Sequence, residues 1–135
     1  MIIIDAKNAV VGRVATLSAK QSLLGEDVAV INCELAIVTG AKKHIIADWK
    51  RKYAMGVPKK GPFINRMSDR FVRRIIRGML PHRNFRGKDA LKRIMCYVGE
   101  PAELKGEKMS VKNATELPNA KFMTVGALCK ALGGE

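Results

Sequence analysis

Arginine side chains crowd one short stretch of the chain, at Arg70, Arg73, Arg74 and Arg77, with no acidic residue between the first and the last. If the stretch is helical, all four fall within about 100° of one another around the helix axis. Four guanidinium groups held so close repel one another, and a face that is only solvated normally mixes both signs of charge. Guanidinium also matches the geometry of phosphate oxygens. The pattern therefore predicts a surface that binds a polyanion.

A predicted helix from Ser68 to Leu80 holds these arginines. Ser68 suits the N-cap, Asp69 suits the positively polarised first turn, and Pro81 cannot continue a helix. The side opposite the arginines is apolar, so we expect it to be buried in the domain. Its members are Phe71, Val72, Ile75, Ile76, Met79 and Leu80.

The positive charge of the chain is concentrated in its centre. The 135 residues suit one domain and carry a net charge of +13. Between Lys42 and Arg93 there are 17 basic and 3 acidic residues, whereas the rest of the chain has 8 basic and 9 acidic residues. A basic block between near-neutral ends indicates a polyanionic partner, most commonly RNA or DNA, although charge alone does not exclude an anionic membrane. Only 5% of residues are aromatic, so we do not expect base stacking to dominate such contacts.

The sequence lacks the fingerprints of common enzymes and metal sites. It contains no Walker, G-x-G-x-x-G, G-x-S-x-G or H-E-x-x-H pattern, and its two histidines are 38 positions apart. Its three cysteines are far apart, which makes a zinc site improbable and predicts buried thiols in a reducing compartment. No apolar run approaches the roughly 20 residues of a membrane span. We therefore predict no catalytic residue, metal, cofactor or small-molecule substrate.

Hydrophobic patterning indicates an α/β domain with a mostly parallel sheet, because buried strands alternate with amphipathic helices. The predicted strands are 2–4, 28–31, 36–38, 94–98 and 121–123. The predicted helices are 9–24, one that follows Thr39-Gly40, 68–80, a single turn at 89–93 and one capped by Thr124, whereas 102–120 is read as irregular.

Two Pro- and Gly-containing segments, Met55–Met67 and Pro81–Lys88, are predicted to be basic loops. Two predicted helix starts, at Val11–Arg13 and Thr39–Lys43, place small residues and cations where unpaired amides can hold a phosphate. Together with the arginine helix they give the candidate RNA-binding residues Arg13, Lys42, Lys43, Lys50, Arg51, Lys59, Lys60, Arg66, Arg70, Arg73, Arg74, Arg77, His82, Arg83, Arg86 and Lys88.

Three segments of the chain stand out: Gly12-Arg13-Val14-Ala15, the run from Val30-Ile31-Asn32-Cys33-Glu34 through Thr39-Gly40, and Arg77-Gly78-Met79-Leu80-Pro81. Together they resemble the universal large-subunit ribosomal protein thirteen family. The resemblance extends over nearly the whole chain, and its most specific part is the last segment, at the end of the basic helix. The compact chain, without the long C-terminal extension of eukaryotic members, is similar to archaeal members.

The resemblance implies one three-layer α/β/α domain over residues 1–135, with a mostly parallel central sheet and basic loops. It also implies a structural role in the large subunit of the cytoplasmic ribosome. The implied partners are large-subunit ribosomal RNA and neighbouring large-subunit ribosomal proteins, with no cofactor and no catalytic residue.

Other functions are compatible with the composition. An RNA-binding regulator or a small α/β nucleotide or RNA enzyme, acting off the ribosome, would use the same basic surface. An enzyme would require a pocket with paired titratable groups, which the sequence does not indicate. A membrane-surface protein would require the apolar face of the arginine helix to be exposed, but we expect the sheet to cover that face and predict no membrane partner. A DNA-compacting protein is a further alternative, but the sequence contains no recognition-helix motif to support it.

Overall fold

The computed structural model describes residues 1–109, 111, 116–117 and 119–134. Over these residues the chain forms one α/β domain, so the predicted fold class is confirmed. The elements in chain order are β1 (Ile2–Asp5), α1 (Val11–Leu23), β2 (Val28–Ile31), a 3₁₀ turn (Cys33–Leu35), β3 (Ile37–Thr39), α2 (Lys42–Ala54), α3 (Ser68–Met79), α4 (Phe85–Lys92), β4 (Ile94–Cys96), β5 (Glu107–Met109), β6 (Phe122–Thr124) and α5 (Val125–Ala131).

The central sheet has four parallel strands in the order β4-β2-β1-β5. Its register places Ile4 beside Val30 of β2 and beside Met109 of β5. The two inner strands, β1 and β2, are covered on both faces, which explains the apolar runs Ile2–Ile4 and Val28–Ile31. Those sequences made both strands recognisable from the chain alone.

A second, two-stranded sheet is formed by β3 and β6, which pair antiparallel with Val38 opposite Met123. Both strands were predicted, but their pairing outside the parallel sheet was not. The backbone amide of Gly40 also donates to the carbonyl of Lys121 over 2.9 Å. This small sheet therefore brings the end of the chain to the start of α2.

The main core lies between the helices and one face of the central sheet. Ile4, Val30 and Ile94 project from the strands and pack with α1 and α3, where Val14 and Phe71 are fully buried. Burial of each such side chain stabilises the fold by about 1.5–3 kcal/mol. On the other face, Ile3, Ala29 and Ile31 pack against Tyr97 and Leu104.

Three details of the sequence-based prediction were wrong. Residues 107–109 form the edge strand β5, whose two charged residues hide the apolar pattern of a strand. Helix α4 begins at Phe85, so residues 85–88 are helical and do not form a loop. The N-cap of α3 is Met67, whereas Ser68 is buried as the first helical residue and makes no capping hydrogen bond.

Two further predicted features of the helices are the cap of α5, which is confirmed, and the buried face of α3, which is confirmed in part. The Oγ of Thr124 accepts a hydrogen bond from the amide of Ala127 at the start of α5. The apolar face of α3 is buried at Phe71, Val72, Ile76 and Leu80. Ile75 is only half-buried, and Met79 departs further from that prediction, because 44% of its surface is exposed at the end of the helix.

Candidate nucleic-acid interface

The four arginines of α3 line one groove of about 400 Å³, as the sequence predicted for a single face of a helix. We call this the arginine groove, and its other lining residues are Phe63, Asn65 and Leu91. Arg70 and Arg77 are exposed, whereas Arg73 and Arg74 are half-buried. The groove thus joins α3 to the loop before it and to α4 after it.

Two of these arginines are fixed by backbone carbonyls. A terminal nitrogen of Arg73 donates to the carbonyl of Leu91 over 3.1 Å, and one of Arg74 donates to the carbonyl of Phe63 over 2.8 Å. A guanidinium has five N–H donors, so both side chains keep donors for a ligand. Their orientation is set before any ligand arrives, which lowers the entropy lost on binding.

The positive charge of the arginine groove is not neutralised by ion pairs within the described residues. Among the described residues, the carboxylates in ion pairs are Asp48, Asp89 and Glu100. Their partners lie outside the groove and are Arg51, Lys52, Lys92 and Lys108. Asp69 lies at the start of α3, as expected from the helix dipole. The groove therefore presents four like charges to whatever occupies it.

The turn that follows α3 is packed closely against α4. Gly87 is buried in the first turns of α4, and a Cβ there would overlap the carbonyl of Pro81 and lie 2.9 Å from the amide nitrogen of His82. This contact holds residues 81–84 against the helix. The exposed cations Arg83, Arg86 and Lys88 are thereby carried on a fixed turn and helix, where the sequence had predicted one basic loop.

The loop 55–67 is the long connection that was predicted. Lys59 and Lys60 are exposed at its tip, where the amides of Lys60 and Gly61 both donate to the carbonyl of Val57. Arg66 lies apart from the tip, with its guanidinium carbon 5.1 Å from the ring centre of Tyr53. The structure therefore does not bring Arg66 into the arginine groove.

A second basic cluster lies where α2 begins. Lys42, Lys43 and His44 line a pocket of about 590 Å³ together with Lys121 and Phe122. The antiparallel pairing of β3 with β6 places Lys121 there. Lys121, 78 positions after Lys43 in the sequence, thereby joins the predicted residues Lys42 and Lys43. Sequence reasoning missed Lys121 because it lies outside the basic block of residues 42–93.

The remaining candidate RNA-binding residues differ in whether their side chains already have partners within the protein. Lys50 is exposed on α2, whereas Arg51 pairs with Asp48 over 2.9 Å. Hydrogen bonds from Lys52 and Arg51 lower the pKa of the Asp48 carboxyl, so that carboxylate stays ionised beside them. Arg13, in the first turn of α1, donates to the carbonyl of Glu116 over 2.9 Å. His82 lies in the turn after α3 and contacts the carbonyl of Leu80.

The described part of the chain has two further properties that bear on function. Its histidine, cysteine and carboxylate side chains do not gather in threes that could hold a metal ion. In the same residues, no helix combines the length and the apolar character that a bilayer crossing requires.

These features define a single-domain α/β protein with a preorganised arginine groove. A family model described as ribosomal protein L13 matches residues 1–103. The chain belongs to the ribosomal protein L13 family.

Archaeal relatives named large ribosomal subunit protein uL13 match almost the full length of the chain. The protein of Methanopyrus kandleri is 43% identical over 97% of this chain and 86% of its own length. The protein of Methanococcus maripaludis is 41% identical over 100% of this chain and 99% of its own length. The protein of Haloarcula marismortui is 37% identical over 98% of this chain and 90% of its own length. The resemblance to this family, and to its archaeal members, is therefore confirmed.

Proposed function

We propose that this protein is a structural constituent of the large ribosomal subunit and that it binds large-subunit ribosomal RNA. The observation that carries the proposal is the arginine groove, in which four guanidinium groups line one concave surface without an acidic partner among the described residues. The relatives' name supports the large subunit as the site of action. The same surface would be costly to maintain unless a polyanion neutralised it.

Binding in this proposal proceeds by neutralisation of phosphates at many points. Arg70 and Arg77 offer exposed guanidinium groups, and Arg73 and Arg74 offer the donors that their backbone contacts leave over. Lys59, Lys60, Arg83, Arg86 and Lys88 extend the contacts beyond the groove. Phosphate contacts fix position and orientation, but they do not read bases. The shape of the folded RNA would therefore set the register.

Neighbouring large-subunit ribosomal proteins are the other proposed partners, and the cytoplasmic ribosome is the proposed location. The proposal assigns no catalytic residue, cofactor or small-molecule substrate. A regulator or a small nucleotide or RNA enzyme that acts off the ribosome is the alternative, and the experiment below separates it from the structural role.

Sedimentation of a gently lysed cell through sucrose gradients at low and high salt tests the proposed location. We expect the protein to travel with the large subunit and to stay there at moderate salt. Recovery at the top of the gradient under both conditions would overturn the structural role. The arginine groove would then have to be assigned to another polyanion.

Salt titration of purified protein with large-subunit ribosomal RNA tests the mechanism. With 6–10 phosphate contacts, affinity should fall by about 10³–10⁵ between 50 and 200 mM salt. Arg70→Gln with Arg77→Gln should flatten the logarithmic salt slope by about 1.4–1.8. The matched control is Lys7→Gln with Lys20→Gln, which removes two exposed charges outside the candidate set. A flat titration, or equal effects of the two pairs, would contradict the proposal.

A further inference from the structure

A pocket of about 740 Å³ lies at the carboxyl ends of β2 and β4 and shares no lining residue with the arginine groove. Its walls are the 3₁₀ turn 33–35, residues 96–98 after β4, and the starts of α3 and α5. In open parallel sheets this edge is where ligands are bound, because the chain leaves the strands there and opens a crevice. The proposed RNA surface makes no use of this pocket.

The rim of the pocket is apolar and exposed. The exposed fractions of Leu35, Met67 and Val98 are 37%, 47% and 59%. Large apolar side chains gathered around a concave surface indicate contact with another protein. Methionine is also enriched in protein interfaces, because its flexible side chain adapts to different partners.

Two carboxylates lie in this pocket, against one cation, Lys130. The backbone amide of Gly99 donates to both oxygens of Glu34, over 3.2 and 3.1 Å, which fixes that carboxylate. Asp69 also lines the pocket and is half-buried, so its carboxylate attracts a cation that enters there.

The charges of the pocket select among possible occupants. Its two carboxylates would repel the phosphates of RNA, although the protein as a whole is strongly basic. A second copy of the chain is disfavoured because each copy carries a net charge of +13. A segment of another protein that combines apolar side chains with a cation complements both the rim and the carboxylates.

We infer that this pocket docks a segment of a partner protein in which a large apolar side chain adjoins a lysine or arginine. The apolar side chain lies against Leu35, Met67 and Val98, and the cation pairs with the carboxylate of Asp69. This inference deepens the proposed function, on which it rests, by assigning a recognition chemistry to its protein partners. It places protein contact and RNA contact on separate residues of one domain.

Selection of phage-displayed random heptapeptides on the immobilised full chain, with counter-selection on the Val98→Glu protein, tests the inference without RNA. We expect enriched sequences to carry lysine or arginine next to leucine, isoleucine, methionine, phenylalanine or tryptophan. A synthetic consensus peptide is then measured by fluorescence anisotropy. Its affinity should fall at least tenfold with Val98→Glu and about tenfold with Asp69→Asn. Replacing the cationic residue of the peptide with norleucine should weaken its binding to the wild-type protein. The same replacement should cause no further loss of affinity for the Asp69→Asn variant.

The matched controls change similar residues outside the pocket. Val57→Glu alters a valine that is 54% exposed, and Glu103→Gln removes an exposed carboxylate. Neither should change peptide affinity more than twofold. Absence of a shared motif, an equal loss with Val57→Glu, or a cation preference that survives Asp69→Asn would overturn the inference. So would a dimer in analytical ultracentrifugation that Val98→Glu dissociates.

The two proposals fail separately in these experiments. If wild-type protein and the Val98→Glu variant bind ribosomal RNA equally but no peptide motif emerges, the docking inference fails alone. If peptides bind as expected but RNA binding is absent, the proposed ribosomal function fails and the pocket serves a partner elsewhere.

Discussion

The guanidinium of Arg73 donates a hydrogen bond to the backbone carbonyl of Leu91 over 3.1 Å, which joins the middle of α3 to the end of α4. An arginine of the proposed RNA surface is therefore also part of the fold. Arg70, one turn earlier on the same helix, is exposed and lines the same groove. The two residues separate the structural contribution of an arginine from its contribution to RNA binding.

Substitution of Arg73 by methionine should lower both stability and RNA affinity. Methionine keeps the apolar stem but leaves the Leu91 carbonyl without its donor, which should cost about 0.5–1.5 kcal/mol of unfolding free energy. Arg70→Met should weaken RNA binding but change stability by less than about 0.5 kcal/mol. Urea unfolding followed by circular dichroism, together with an RNA-binding assay, makes the comparison. Equal stability losses in the two variants would contradict this division of roles.

Substitution of Gly87 by alanine should destabilise the protein, because the new methyl group would overlap the carbonyl of Pro81. We expect a loss of about 1–3 kcal/mol, as in other overpacked sites. Gly78→Ala is the control, since Gly78 is also helical but has open space around its Cβ position. That change should stabilise α3 by about 0.5–1 kcal/mol. Urea midpoints that move in the same direction for both variants would rule out the proposed close contact.

Strands and helices with strong periodic patterns could be predicted from the sequence. The bounds of β2 matched to the residue, and the four arginines of α3 were correctly placed on one face. The edge strand β5 could not be predicted, because its sequence Glu-Lys-Met has no apolar pattern. Its extended conformation is stabilised by pairing with β1, which the local sequence does not indicate. Helix α4 was truncated in the prediction because Gly87 weakens helix propensity, whereas close packing on Pro81 favours glycine there.

The composition of the site was less predictable than its charge. Local sequence indicated which residues are basic, but only the pairing of β3 with β6 brings Lys121 to Lys42 and Lys43. Arg66 belongs to the basic block, yet it lies over Tyr53 and outside the arginine groove. Contacts between residues so far apart in the sequence depend on the topology of the fold, which the hydrophobic periodicity of the chain does not reveal.

The three cysteines should differ in their reactivity towards iodoacetamide at pH 8. The neighbouring Cys96 thiol, together with burial, raises the pKa of the Cys33 thiol far above its usual range, and burial raises the pKa of Cys129. Both thiols therefore stay protonated and shielded, whereas Cys96 is only half-buried and lines the open pocket. The reagent reaches a buried, protonated thiol slowly, so peptide mapping should find Cys33 and Cys129 labelled at least tenfold more slowly than Cys96. In urea, where the native contacts are lost, all three should react at similar rates; faster labelling of Cys33 in the native protein would contradict the expected burial.

Lys121 should contribute to RNA binding although it lies outside the basic block of the sequence. It is exposed and lines the second basic cluster with Lys42 and Lys43, so a phosphate held there would be shared by three ammonium groups. Lys121→Gln should reduce the logarithmic salt slope of RNA binding by about 0.7–0.9 and leave stability unchanged. Lys20→Gln, which removes an exposed charge from the last turn of α1, provides the control and should leave that slope unaltered. If both variants behave like the wild type, the cluster at the start of α2 makes no phosphate contact and the RNA surface is confined to α3, α4 and the loops beside them.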